Sequence, residues 1–414
     1  MAGEVLPSSG KPNKIVYGGE TLIDLTADTV TPGTLKKGVT AHAADGSRIT
    51  GTMAPPEPVQ ESDINFYDYD GTLLHAWSLA ELQGKTELPE LPTQPGLVCQ
   101  GWNWTLTALK GINRAMDVAA MYKTADGMTH IEIELTDGLL SPCLGFGVNG
   151  TATIDWGDGS EAETLTGTSA FTPIFTPPHT YAAAGKYTIK ILAPANGVLF
   201  HGTSTASKML VESATKAGFY SNKVKCVKLG ANAGFYSYAV ANLNSLESVM
   251  VGTDLLMLSA YAIASAPRLD FVGLPSTLTS ISAACINSSP VSRLVLPYSA
   301  SNVDGSQFIS NSRVKICRLP ECTEIKGYMF YLAGSVNSLE MPGTVTTIRD
   351  YAFSDMKNLE YLDFTRHASV PALTAANAFT NIPADCEIRV PAALLAEWKA
   401  ATNWATYADH IVGV

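Results

Sequence analysis

The second half of the chain repeats with a period of about twenty-two and a half residues. Leu229, Val251, Leu274, Leu296, Leu319, Met341 and Phe364 each close a short apolar segment, at intervals of 22, 23, 22, 23, 22 and 23, and Val390 closes an eighth after 26. Aliphatic residues stand five and two places before most closing positions, as in Leu269, Val272, Leu274 or Val336, Leu339, Met341. That spacing describes a strand of alternating faces entered from a turn, in the leucine-rich-repeat pattern. Pro275, Pro297, Pro320, Pro342 and Pro391 then end the strands, because proline brings no N–H to a ladder. No single coil can bury its apolar side alone, so a period this regular predicts stacked coils, an architecture that presents surface.

A second motif runs in phase. Ala239, Ala262, Ala284, Gln307, Met329, Ala352 and Ala378 are each followed by a bulkier residue: Val240, Ile263, Cys285, Phe308, Phe330, Phe353, Phe379. The small-then-large pair suits a return segment that plugs the space between coils. The string VTTIRDYAFSDMKNLEYLDF (345–364) resembles the leucine-rich repeats of bacterial cell-surface antigens, over about 220–391. The tail resembles the closing segment of that family, which implies a helix over about 392–401 and a cover built from Trp398, Trp404 and Tyr407.

Composition limits the function classes. The net charge of −11 over 414 residues, with no basic block, argues against nucleic-acid binding. Nothing approaches 18 consecutive apolar residues, so no membrane span is expected. The first residues have no apolar core of a signal peptide, and a wall-anchoring signal is missing, so export by the general secretory route is not expected. Seven cysteines without zinc spacing read as small buried hydrophobes, and Cys317 with Cys322 makes a poor redox pair. No metal and no cofactor is expected.

In the N-terminal half, Thr21 to Leu25, Val39 to His42 and Arg48 to Thr52 alternate around Pro32-Gly33 and Asp45-Gly46, and the Asp-Gly pair predicts a hairpin turn. Residues 30–53 resemble a small module of tail, baseplate and fibre proteins of bacteriophages and prophages, although a generic hairpin has the same pattern. APPEPV (54–59) reads as an extended linker. NFYDYDGTLL (65–74) holds the D-x-D-G-T string of haloacid-dehalogenase phosphatases at Asp68, Asp70, Gly71 and Thr72, but the following residues leave no room for the doubly wound sheet that chemistry requires. Short helices over 78–83 and 106–112, with Trp77, Trp102 and Trp104, read as packing elements. Residues 129–195 resemble a polycystic-kidney-disease type immunoglobulin-like sandwich at Trp156, Gly157, Asp158, Gly159, His179, Tyr181, Gly185 and Tyr187, all with structural roles.

The expected chain is mainly β and multidomain: an N-terminal β module (1–53), a linker (54–61), an α+β segment (62–128), the PKD-like β-sandwich (129–195), the leucine-rich-repeat solenoid (196–391) and a helical cap (392–414). On the repeat strands, residues one and three before the closing position point away from the core. Among them Met250, Phe271, Arg293, Val295, Ile316, Arg318 and Tyr361 form an aromatic and aliphatic stripe edged by arginines, as interface cores do. Either a partner binds this stripe, or loops or another subunit cover it. The combined resemblances imply a non-enzymatic virion appendage: the N-terminal module would bind other virion proteins, and the solenoid a bacterial surface receptor of glycan or protein nature. A homotrimer is compatible with this, whereas nucleic acid and membrane insertion are not part of it. The alternatives are a bacterial surface adhesin of the same repeat family and a surface-modifying hydrolase, for which no paired catalytic carboxylates can be nominated.

Overall fold

The computed structural model describes residues 14–17, 20–25, 29–32, 35, 39–50, 59–112, 114–216, 218–255, 258–278, 280–281, 286, 291–299, 302–303, 309 and 313–414. They divide into two units, Met1–Val59 and Gln60–Val414. In the first, β1 (Lys14–Tyr17) pairs antiparallel with β2 (Glu20–Asp24), and β3 (Thr40–His42) with β4 (Arg48–Thr50). The expected Asp-Gly turn joins β3 to β4. Asp45 Oδ1 accepts from the Ser47 backbone N–H at 2.8 Å, and Gly46 takes φ 76°, which glycine adopts without a Cβ penalty. The turn at Gly33 and the linker residues 54–58 lie outside the described residues.

The second unit opens with the α+β segment. Its strands β5 (Ile64–Tyr67), β6 (Leu73–Trp77), β7 (Leu97–Trp102) and β8 (Met116–Thr124) form one sheet in the order β6-β5-β8-β7. Two short helices, α1 (Leu79–Gly84) and α2 (Leu106–Ile112), fall where the sequence puts them. Ser78 and Glu81 form a capping box that starts α1. Ile64, Phe66, Met116, Val118, Ala120 and Tyr122 share one apolar core with Leu82 of α1 and Leu109 of α2. Alternation turns Tyr67, Ala119 and Met121 to the opposite face, where they pack on Phe271 and Val295 of the repeats. The middle strand β5 is therefore buried on both sides, and β8 nearly so.

Strands β9 (Thr129–Leu135), β10 (Cys143–Asp155), β11 (Glu163–Phe175) and β12 (Gly185–Leu192) follow. The sequence expects them as a sandwich of their own. Instead β9 lies between β12 and the first repeat strand, Val224–Lys228, so one nine-stranded sheet runs from this segment into the solenoid. A stack of coils would otherwise present an open apolar end; β9 closes it with a paired strand.

The solenoid itself has about seven turns. Its parallel strands pair in step with the repeat, Cys226 with Ser248, Phe271 with Arg293 and Arg293 with Ile316, Ser338 with Tyr361 and Tyr361 with Glu387. Val227, Val249, Val272, Leu294, Leu339, Leu362 and Ile388 point inward, and all seven closing residues from Leu229 to Phe364 are buried. The plug pairs fill the opposite wall. Phe330, Phe353 and Phe379 stack with centroids 5.5 and 5.1 Å apart and planes within 4° and 3°. The plug pairs at Ala284 and Gln307 lie outside the described residues. At the far end α3 (Leu395–Ala400) and the final strand Ile411–Gly413 close the stack. Trp398 and Trp404 are buried there, and the Trp404 indole donates to the Pro371 carbonyl at 2.8 Å.

Four of the described return turns use two left-handed residues, Tyr238 and Asn242, Tyr261 and Ser265, Tyr328 and Leu332, Tyr351 and Asp355, and the turn at Ala378 uses one, Asn381. Left-handed tyrosine and leucine are strained. The strain is offset because these turns aim backbone N–H groups at the neighbouring coil: Tyr238 to the Tyr261 carbonyl at 3.0 Å, Leu332 to Ser354 at 3.0 Å, Asp355 to Thr380 at 2.9 Å.

Candidate binding face

The outward face of the repeat strands has a covered part and an open part. Over the earlier coils the α+β sheet lies directly on it. Met250 is 2% exposed, Phe271 4% and Val295 1%, so three members of the expected stripe sit under the chain's own layer. They do point away from the solenoid core, as alternation requires, but the cover is intramolecular. Burying each contributes about 1.5–3 kcal/mol before entropy is subtracted.

Polar contacts hold the layer coil by coil. Asn103 Nδ2 donates to the Leu274 carbonyl at 3.0 Å, Trp104 Nε1 to the Leu296 carbonyl at 2.8 Å, and Arg114 to the Leu319 carbonyl. Those acceptors are the closing residues of three successive repeats, so the layer bonds the solenoid in step with its period. Arg293 donates to Asp117 Oδ2 and to Glu61 Oε1, both at 2.6 Å, and its guanidinium lies 4.7 Å from the Tyr67 ring centroid. Burial opposes the Arg293 charge, but Asp117, Tyr67 and Glu61 together more than offset it and raise the pKa. Arg318 donates to the Asp63 carbonyl at 2.7 Å and stands 3.6 Å from Asp117. Two of the stripe's arginines therefore hold the cover. Ile316 lies in the repeat strand Ile316–Cys317, and its side chain is outside the described residues.

Beyond the layer the face is open. Tyr361 is half-buried, with the Arg389 guanidinium 3.8 Å from its ring centroid, and Arg389 is held by Glu387 at 2.8 Å. A cleft of about 310 Å³ lies at the boundary, between Arg114, Lys315 and Arg318 on one side and Glu340, Tyr361 and Asp363 on the other. Glu340 pairs with Arg366 at 2.7 Å. Asp363 Oδ1 accepts from the Thr365 backbone N–H at 2.8 Å and hydroxyl at 2.6 Å. Lys315 is exposed and makes no ion pair among the described residues. Burial lowers the Arg114 pKa, and Glu321 at 3.2 Å counters it in part. Of the described candidates from the stripe, Arg318 and Tyr361 reach this cleft. Glu340 and Asp363 also line it, each one place before a closing residue and so on the outward face. Arg114 was out of reach of repeat reasoning, since it comes from another segment.

The phosphatase-like string is built into the cover. Asp68 is 1% exposed; it accepts from the Tyr122 hydroxyl at 2.8 Å, Gln94 Nε2 at 2.6 Å and the Tyr69 backbone N–H at 2.8 Å. Asp70 caps the turn through the Thr72 N–H at 3.0 Å. Gly71 takes φ +90°, and a Cβ there would stand 2.8 Å from the Phe271 Cβ. All four elements of the string serve a turn pressed on the solenoid. The W-G-D-G string is likewise a folded corner. His179 stacks on Trp156 at 4.4 Å and meets Asp158 Oδ2 at 2.8 Å. Burial pushes the Asp158 carboxyl up, yet the Ser160 hydroxyl and N–H and His179 together hold it down to about 2.

Residues 233–360 match the BspA type leucine rich repeat region, in six copies. Comparison with curated proteins gives no match. Among solved structures, a leucine-rich repeat protein from Bacteroides ovatus ATCC 8483 is similar at 15% identity and a TM-score of 0.32. The similarity covers 48% of this chain and 62% of that protein, so this chain spans less than two thirds of its length. The chain thus carries BspA-type leucine-rich repeats in a C-terminal solenoid.

Proposed function

We propose that the protein is a non-enzymatic adhesion protein that grips a surface component through the open end of its repeat-strand face. The observation that carries this reading is the division of the face: the chain itself fills the earlier coils and leaves Tyr361 and its neighbours open on a rigid stack. A preformed wall suits recognition without reorganisation. The BspA-type repeats favour a cell-surface adhesin over the virion appendage that the N-terminal and sandwich resemblances imply. Asp68 supports binding rather than phosphoryl transfer, because a carboxylate saturated by three donors makes a poor nucleophile. The test has two parts. Immunogold labelling of producing cells and of released particles locates the product, and a cell-surface signal is expected. Capture of the purified full chain on intact bacterial and animal cells, with or without Tyr361→Ser, should fall with the substitution. Labelling confined to phage particles would restore the virion reading, and unchanged capture would remove the open face from it.

A further inference from the structure

We propose that the cleft at the edge of the cover binds a carboxylated sugar, which deepens the adhesion reading and rests on it. Three cations converge there in a chain of net charge −11. Arg114 is buried and paired with Glu321, but the neutralisation of the other two is incomplete: Asp117 is shared between Arg293 and Arg318, Glu340 is engaged by Arg366, and the exposed Lys315 has no ion-pair partner among the described residues. An anionic group on a ligand completes that set with charge-assisted hydrogen bonds.

The facing wall decides what carries the anion. Asp363 uses Oδ1 for Thr365, and no described donor reaches its Oδ2, so an acceptor is available for ligand hydroxyls. Tyr361 sits between the cleft and Arg389, which lies one coil further along and stacks on the ring. A ring fixed on one side by a guanidinium gives the cleft a stiff apolar wall. A cation for a carboxylate, a carboxylate for hydroxyls and an aromatic wall together fit a pyranose bearing an acid group. An acidic peptide carries several carboxylates and few hydroxyl donors, so each charge beyond the one held by the cations would meet Glu340 and Asp363 as like charges, whereas an acidic sugar brings one charge and several hydroxyls. The cleft of about 310 Å³ lies at the small end of ligand pockets, roughly 300–1,000 Å³, which suits one or two sugar rings.

The experiment is calorimetric titration of the full chain with four probes: methyl β-D-glucuronide, the methyl glycoside of N-acetylneuraminic acid, methyl β-D-glucoside and triglutamate. At least one of the two acidic sugars should bind about tenfold more tightly than the glucoside, and the one that does identifies the acid class. Lys315→Glu should weaken that binding by about tenfold with the unfolding temperature unchanged, and Tyr361→Ser and Asp363→Asn should weaken it by smaller factors. Equal affinity for glucoside and glucuronide overturns the proposal. So does acidic-sugar binding that is indifferent to Lys315→Glu, or the absence of any binding at millimolar probe. Triglutamate binding as tightly as the acidic sugars would reassign the cleft to peptide carboxylates. Cell capture that persists in Lys315→Glu while the sugars fail would remove this ligand class and leave the adhesion reading standing.

Discussion

Asp117 offers the sharpest perturbation of the cover. Its carboxylate is 2% exposed and stands 2.6 Å from Arg293, 3.6 Å from Arg318 and 3.3 Å from Asn65 Nδ2. Asp117→Asn removes one charge and leaves two arginines under the layer with reduced compensation. Removing one partner of a buried pair costs about 3–5 kcal/mol. Arg293 keeps Glu61 at 2.6 Å, but Glu61 is half exposed and screened, so a cost near the lower end, about 3 kcal/mol, is expected. Urea unfolding followed by indole fluorescence measures it, since Trp102 and Trp104 belong to the same layer. Combining Asp117→Asn with Arg293→Met should cost less than the sum of the singles by at least about 1.5 kcal/mol, because the double variant buries no unpaired member of that couple. A cost below about 0.5 kcal/mol with additive behaviour would refute the buried network.

Asn103→Ala removes the donor to the Leu274 carbonyl and the acceptor for the Ala119 N–H at 2.8 Å, so a loss of about 2–4 kcal/mol in urea unfolding is expected. Gly71→Ala forces a Cβ against Phe271 at positive φ and should lower the unfolding temperature by several degrees, corresponding to about 1–3 kcal/mol. The pKa of Asp158 is depressed in the folded chain, to about 2 from 3.8; its contribution is present above 3.8 and is lost as pH falls toward 2. Asp158→Asn should therefore flatten the fall in unfolding temperature between those pH values, and an unchanged slope would contradict that assignment.

The solenoid was legible because its period is a property of the backbone stack. The strands Phe271–Gly273, Arg293–Val295 and Ile316–Cys317 pair at the register that the 22- and 23-residue intervals require. The plug phenylalanines were legible for the same reason. The stripe was legible only in part. Alternation reads which way Met250 and Phe271 point, but what meets them is a tertiary fact: Tyr67, Ala119 and Met121 meet Phe271, and Met250 joins the cluster of Ala120 and Tyr122, all from far earlier in the chain. Charge gave a weak hint, since arginines within an apolar stripe need partners, and Asp117 and Glu61 could have been sought in the α+β segment. The shared sheet at β9 was hidden because β9 alternates as a sandwich strand would, whichever neighbour it pairs with. The left-handed turns carry a faint signal at Asn242 and Asp355, residue types that tolerate that conformation, and none at Tyr328 or Leu332.

Cysteine accessibility tests the division of the strand face most directly. Val295→Cys and Ser338→Cys are each treated with a maleimide in the native full chain, and modification is read by peptide mass mapping against the unfolded protein. The thiol at 295, under the α+β layer, is expected to stay unmodified while the thiol at 338, beside the open cleft, reacts readily. Equal modification at both positions would contradict it.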